Sequence, residues 1–294
     1  MELGLQGAQA RIPHPQLSAT IRAPSLVLRK VRMLVRLICW RTLRPTVRLS
    51  SGIVVTLKSD SDWEIANEIF LQRDYDEAID EALLRPESVE PVRVLDLGAN
   101  VGFFSLRCIE RYVNAQPQAR LELTLVEGSP SLFADLKERL SGFRSADGIS
   151  LIARQGLVGR RNGKGMIYSS LFHSCTNAVV REGGKTSGNI FLGRHAEDSE
   201  YLDLDELVPT EGIIDLIKCD IEGSELEFLE NYVSLLRRTR LLAIEFHPDH
   251  CSAGACHELL DEYGFIKVRT IKNHPTHSLE LYANRTGSLH QSEA

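Results

Sequence analysis

The run from Val94 to Leu106, VLDLGANVGFFSL, limits the fold more than any other stretch of the chain. An apolar strand enters a turn that holds an acid, two glycines and an asparagine, then leaves as the apolar face of a helix through Phe103, Phe104 and Leu106. Gly98 and Gly102 let the backbone bend sharply and approach a ligand closely. A helix beginning near Val101 would aim its free N–H groups at whatever occupies the turn. The following strand, LELTLVEGS, ends in Glu127, Gly128 and Ser129, and a carboxylate there can accept hydrogen bonds from ribose hydroxyls. Together these features predict a cradle for a nucleoside-bearing ligand.

From residue 52 onward, strand-like and helix-like segments alternate, the pattern of an α/β domain with a parallel sheet. GIVVTLKS reads as a short strand. DSDWEIANEIFLQRDYDEAIDEALL reads as one helical stretch with N-cap candidates at Asp60 to Asp62. PSLFADLKERL starts a helix at Pro130, and after ISLIARQGLVG a hairpin is expected at GKGMIYS. The polar stretch from about Ser169 to Ser199, with His173 and His195, lacks periodicity and is expected to be a loop shaping a pocket. Strand IIDLIKCDIEG, helix SELEFLENYVSLL, strand RLLAIEFHP and helix ACHELLDEYG follow. FIKVRTIK and SLELYANR are joined too tightly for a helical crossover and should pair antiparallel.

Composition narrows the function. The 294 residues carry a net charge of −6, yet residues 1–50 hold nine Lys or Arg against the single acid Glu2, which leaves the remainder at about −14. So acidic a body is no general nucleic-acid binder, because phosphate contacts demand a basic face. The six cysteines are scattered, so a disulfide framework is not expected and a reducing compartment fits. No run of about 18 apolar residues exists, and the start lacks the layout of a secretory signal. The expectation is a cytoplasmic, soluble protein with a small-molecule or glycan acceptor. Residues 1–20 and 287–294 read as disordered. Residues 21–50 read as a basic amphipathic helix, with Val27, Val31, Leu34, Val35 and Ile38 opposite Arg29, Arg32 and Arg36. That helix either packs on the domain or makes peripheral contact with an inner membrane face.

Two ligand classes use such a turn. A dinucleotide wants G-x-G-x-x-G, and Gly98-Ala99-Asn100-Val101-Gly102 lacks the close second glycine. S-adenosylmethionine has no phosphate to seat; Asp96 could attract its ammonium and Asn100 its polar groups. VLDLGANVGFFSL, LTLVEGSPSLFADL, YLDLDELVPTEGIIDLIKCDIEGSELEFLE and LLAIEFHP resemble the successive motifs of the FkbM-type family of class I S-adenosylmethionine-dependent methyltransferases, over roughly residues 52–285. The resemblance implies a Rossmann-like, doubly wound, mostly parallel sheet with helices on both faces and a C-terminal antiparallel strand pair, the domain spanning residues 51–286. It implies O-methylation of natural products, saccharides or lipid-linked glycans. It also implies a cofactor site lined by Asp96, Gly98, Asn100, Gly102, Glu127 and Asp220, beside which Gly128 and Ser129 stand.

Asp215, Lys218, Asp220 and Glu222 are expected to crowd the carboxyl end of one core strand, where such sheets open onto their ligand crevice. Asp220 would face the cofactor and Glu222 the acceptor. Lys218 could serve the chemistry or simply order the loop as an ion pair. Methyl transfer to an alcohol needs in-line approach and removal of one proton. Glu222, Glu245 and His247 are the candidate bases, with geometry alone as the alternative. HPDHCSAGACHELL holds zinc-type ligands at irregular spacing, so no metal site is assigned; a divalent cation on Asp220, Glu222 and Glu245 is the lesser alternative. Two rival functions share the fold: an NAD- or nucleotide-dependent oxidoreductase, and a cofactor-binding relic without catalysis.

Overall fold

The computed structural model describes residues 38–40, 42–84, 90–143, 148–170, 173–180 and 194–285. The segments expected to be disordered at 1–20 and 287–294 lie outside the described residues, as does the basic segment up to residue 37. The end of that segment is anchored: Trp40 Nε1 donates to Asp60 Oδ1 at 2.8 Å. Strands β1 (Thr46–Arg48) and β2 (Val54–Thr56) then pair antiparallel, so the packed region begins ahead of residue 51.

The long helical stretch expected next is two helices. Ser59, not one of the aspartates, caps α1 (Asp60–Ala66) by accepting from the Asp62 N–H, and Asp62 reaches back to the Lys58 N–H at 2.8 Å; this is a reciprocal cap. The helix widens into a π-turn over Asn67–Gln72 and stops at Arg73, whose φ is 62°. Helix α2 (Asp76–Leu83) restarts and buries Ala78, Ile79 and Ala82.

The frame is a seven-stranded sheet. Its members are β3 (Val92–Leu97), β4 (Leu121–Glu127), β5 (Ile149–Gln155), β9 (Ile214–Cys219), β10 (Thr239–Phe246), β11 (Phe265–Asn273) and β12 (Ser278–Asn284). Their spatial order is β11-β12-β10-β9-β3-β4-β5. Pairings among β5, β4, β3, β9 and β10 are parallel, while β12 runs antiparallel to both β10 and β11. The closing antiparallel pair is therefore present. Alternation sends Val92 and Val94 of β3 into one core and Leu95 and Leu97 into the other. Helices α2 and α3 (Phe103–Ala115) cover the first face. The other is covered by α6 (Glu225–Asn231), α7 (Val233–Arg237) and α8 (Ala253–Glu262), which bring Phe228, Leu235 and Leu260. Buried on both faces, this is a doubly wound α/β sheet.

From β3 the chain winds outward through α3, β4, α4 (Pro130–Leu140) and β5, then returns to β9 on the other side of β3. That reversal opens a crevice beyond the carboxyl ends of β3 and β9. The stretch expected to be a hairpin and a polar loop instead contributes three strands, β6 (Lys164–Ser170), β7 (His173–Val180) and β8 (Arg194–Glu200). They form a small antiparallel sheet in the order β7-β6-β8. Its buried cluster among the described residues is only Leu157, Ile167 and Tyr201, too small to imprint an apolar alternation on the sequence. The side chains of His173 and His195 lie outside the described residues. A short helix α5 (Leu204–Leu207), capped by Asp203, leads to β9. Among the described residues no helix is long and apolar enough to cross a membrane.

Candidate active site

The turn after β3 is built around one forbidden side chain. Gly98 has φ +75°, and a Cβ there would stand 1.7 Å from the Asp220 carbonyl oxygen. Only glycine lets the turn after β3 touch the turn after β9. The Gly98 and Ala99 N–H groups both donate to Val126 O at 2.9 Å, locking the turn onto β4. Asn100 takes φ 50° and Gly102, at φ 87°, caps α3, which starts at Phe103 rather than near Val101. The buried Oδ1 of Asn100 has no hydrogen-bond partner, an arrangement that a donor on a ligand would complete.

Glu127 stands at the end of β4, 7% exposed. Its Oε2 accepts from the Asn100 N–H at 2.6 Å and its Oε1 from the Ser129 N–H at 2.8 Å. Each oxygen keeps a lone pair for a further donor. Burial pushes this carboxyl up to about 7, against the pull of those two N–H groups. Gly128 lies against Ile167 of the small sheet and Leu157 just after β5. Ser129 is committed elsewhere: it is fully buried, accepts from the Leu132 N–H to cap α4, and donates to Glu197 Oε2 at 2.6 Å. It ties the small sheet to the crevice floor. Gly102 faces Leu136 and Leu140 in the same way, in the packing under the turn.

Two expected site residues stand behind the turn. Asp96 is completely buried and accepts from Ser105 Oγ at 2.7 Å. Lys218, its register partner on β9, donates from Nζ to Gly98 O at 2.6 Å and lies 3.6 Å from Asp96 Oδ1 and 3.5 Å from Asp220 Oδ2. Burial pulls the ammonium down, but the carboxylates of Asp220, Asp96 and Glu245 outweigh it and push Lys218 up to about 12. An ammonium so held donates no proton at neutral pH. Lys218 is the strut that joins the two turns, and Asp96 is its counter-charge. Asp215 is not at this end at all: it sits at the start of β9, accepting from the Arg93 N–H and from Arg240 Nη1, each at 2.9 Å.

The crevice is open to solvent, with about 560 Å³ of empty space. Its lining is apolar at Val126, Leu132, Leu157, Val158, Ile167 and Ile221 and polar at Asn100, Glu127, Asp220 and Glu222, with Gly98 among them. Past Glu222, β10 delivers Glu245 and His247. His247 Nδ1 lies 2.9 Å from Glu225 Oε1, and Nε2 faces Glu222 Oε2 at 3.4 Å, Glu245 Oε1 at 3.8 Å and Asp220 Oδ1 at 4.0 Å. Burial alone would lower the imidazole, yet the bond to Glu225 and the charges of Asp220 and Glu222 raise it to about 10. With no cation added among these acids, the ring keeps its own proton rather than taking one from an acceptor. Burial, then Asp220, raises Glu222 well above the usual carboxylate range and Glu245 to about 8.

Sequence reasoning gave Glu225 no role, although it is the last acid of the Asp-x-x-Lys-x-Asp-x-Glu-Gly-x-Glu run. It is fully buried and orients His247. The zinc-type run does not assemble: His257 pairs with Glu280 at 3.1 Å, and Cys256 is buried in the second core. The cysteines whose side chains are described, Cys39, Cys108, Cys219, Cys251 and Cys256, are free.

The family described as methyltransferase FkbM domain matches residues 169–267, from the small sheet through β9, β10 and α8 into β11. No curated protein matches the chain. Similar solved structures include TYW2 of P. horikoshii in complex with MeSAdo, at 15% identity over 81% of this chain and 70% of that one, with a TM-score of 0.38. Another is precorrin-6y C5,15-methyltransferase from Geobacter metallireducens, at 13% identity over 71% of this chain and 88% of that one, with a TM-score of 0.36. At such TM-scores the likeness adds nothing to the topology already described.

Proposed function

We propose, from the match of residues 169–267 to the methyltransferase FkbM domain, that this chain moves a methyl group from S-adenosylmethionine to a hydroxyl oxygen of a saccharide, glycolipid or other natural-product acceptor. The observation that carries the reading is the crevice at the sheet reversal, where Glu127 stands on one side of the Gly98 turn and Asp220 and Glu222 on the other.

The residues fit the cofactor. Glu127 has two free lone pairs for ribose hydroxyls, Asn100 an unpartnered buried oxygen for a donor, and Val126, Leu132, Leu157 and Ile167 an apolar wall for a flat base. Asp220 would answer the cationic amino-acid end. Bound there, the cofactor supplies a methyl group already activated on a sulfonium. The protein is left with positioning the acceptor and taking its proton. Glu222, at the crevice wall, and Glu245 behind it are the carboxylates placed for that proton. Lys218 keeps the two turns in register.

Calorimetric titration with S-adenosylhomocysteine tests the reading. Micromolar binding, about −8 kcal/mol, is expected, with none for NADH; the reverse result would make this a dinucleotide enzyme. Glu127→Gln replaces an acceptor with an amide that cannot serve both backbone N–H groups, and should weaken S-adenosylhomocysteine by about 10- to 100-fold. Since the ionised carboxylate is the form that accepts, wild-type affinity should rise between pH 6 and 8 and level off above. The same raised value means that the ligand-free fold loses stability as pH climbs from 4.5 to about 7. A flat affinity profile across that window would remove Glu127 from the contact.

Asp220→Asn should cut methyl transfer while the variant melts close to the wild-type temperature. Turnover at the wild-type rate would remove Asp220 from the site.

A further inference from the structure

We infer that Asp220, Glu222 and His247 form a binding site for one divalent cation of the Mn²⁺ or Mg²⁺ kind at the acceptor end of the crevice. The inference uses the methyl-transfer reading only for the cation's purpose, not for its binding.

Three observations support it. The first is convergence. Asp220 and Glu222 follow β9, His247 follows β10, and these neighbouring parallel strands release all three at the same edge of the sheet. One ligand atom from each lies within 4.8 Å of the others, and no other group of three or more such residues among those described meets that condition. Atoms about 2.1 Å from one cation stand about 3 Å apart when adjacent and about 4 Å apart when opposite. Glu222 Oε2 and Asp220 Oδ1 stand 3.4 and 4.0 Å from His247 Nε2. Both fall in that range without making a good hydrogen bond to the ring.

The second is orientation. A histidine that binds a metal through one nitrogen almost always hands the other N–H to a carboxylate, which sets the tautomer and the ring plane. Glu225, with no exposed surface, does this at Nδ1 at 2.9 Å, leaving Nε2 as the nitrogen that faces the carboxylates. The same Oε1 accepts from the Gly223 N–H at 3.0 Å, so Glu225 fixes the ring against the turn that carries Asp220 and Glu222, and its second oxygen is buried without a hydrogen-bond partner.

The third is charge. Asp220, Glu222, Glu225 and Glu245 all approach one imidazole within 4.0 Å, and Asp220 shares its lysine, Lys218, with Asp96. Like charges at this separation in a partly buried site need added positive charge, and a divalent ion supplies it in one step. Two carboxylates and one imidazole suit Mn²⁺ and Mg²⁺, with Zn²⁺ and Fe²⁺ as competitors. Under the proposed function the ion would take the acceptor oxygen as a further ligand and make its O–H bond more acidic, the proton passing to Glu245.

The test uses the full chain, stripped with EDTA and dialysed, then titrated with Mn²⁺ and followed by loss of the free-ion electron paramagnetic resonance signal. One equivalent should bind, and pulsed spectra should show nitrogen coupling from a directly bound imidazole. Glu222→Gln and His247→Gln should each weaken Mn²⁺ at least tenfold, the latter also abolishing the nitrogen coupling; Glu225→Gln should weaken it by about tenfold. Absence of Mn²⁺, Mg²⁺ and Zn²⁺ binding by the folded wild-type protein, or bound Mn²⁺ without nitrogen coupling, overturns the site. The wild-type measurements suffice where a variant fails to fold. Titration with S-adenosylhomocysteine keeps the two readings apart: binding of that ligand without any cation sinks only the metal site, and cation binding without it sinks only the methyl-transfer reading.

Discussion

Replacing Lys218 by methionine should lower the stability of the protein by about 3–5 kcal/mol, the cost of stripping a buried ion pair of one partner. Three bonds depend on that ammonium. Gly98 O loses a donor at 2.6 Å, and Asp96 and Asp220 lose their shared counter-charge. Asp96 suffers most, because it is completely buried and keeps only the hydrogen bond that Ser105 Oγ donates to its Oδ2. Burial already raises the Asp96 carboxyl, with Lys218 opposing; without Lys218 it rises further and the group folds as the neutral acid. A folded value above the unfolded one means that stability is lost as pH rises, so the variant should be closer to wild type at pH 5 than at pH 8. Urea unfolding at the two pH values measures this. Adding Asp96→Asn should recover part of the loss, since the uncompensated charge is then gone. A Lys218→Met protein with full stability but no turnover would return Lys218 to the list of catalytic groups.

Gly98→Ala should be about as damaging, at roughly 3–5 kcal/mol, combining a left-handed backbone with overpacking. The new Cβ would meet a carbonyl oxygen rather than a side chain that could swing away: Asp220 O at 1.7 Å, with Asp220 C at 2.8 Å. That carbonyl has little freedom, because the Asp220 N–H is bonded to Leu97 O at 3.0 Å. Relief therefore requires β3 and β9 to part at the sheet reversal, which dismantles the crevice, and S-adenosylhomocysteine affinity should fall more than 100-fold. Gly102→Ala is the control. It has a similar φ of +87°, but its Cβ would meet only Leu136 and Leu140 at 3.5–3.6 Å, so strain alone should cost about 1–2 kcal/mol. Equal losses in the two variants, measured by urea unfolding, would show that the contact with Asp220 is not what demands glycine.

Both variants probe a junction whose halves were legible separately. The apolar run into Gly98, the acid ending β4 and the acidic run after β9 are local patterns, and each was placed at the end of a strand from periodicity alone. Asp215 shows where that reading fails. It shares a motif with Asp220 but sits at the opposite end of β9, held by Arg93 and Arg240, because a strand of six residues separates the two ends of one motif by its whole length. Ser129 and Asp96 show a second failure. Both stand at turn positions, yet their side chains are spent on Glu197 and on Ser105 and Lys218, partners that no spacing reveals. The small sheet of β6, β7 and β8 is a third: its strands are specified by mutual pairing, and among the described residues only Ile167 of these strands joins a buried apolar cluster, so the sequence carried little apolar signal to read.

What the sequence determined by itself was the set of parts: an alternating α/β order, a turn at Gly98 that only glycine can make, an acid closing β4, and an antiparallel pair at the end of the chain. These follow from side-chain period and backbone sterics, which act over a few residues. The tertiary structure decided which parts meet. It set β9 beside β3 so that Asp220 fills the place of a Gly98 side chain, turned Lys218 inward as a strut, and gathered Glu222, Glu225 and Glu245 around His247. Lateral strand order and the ion balance of a buried cluster depend on contacts between residues far apart in the chain, and those contacts exist only once both faces of the sheet are packed.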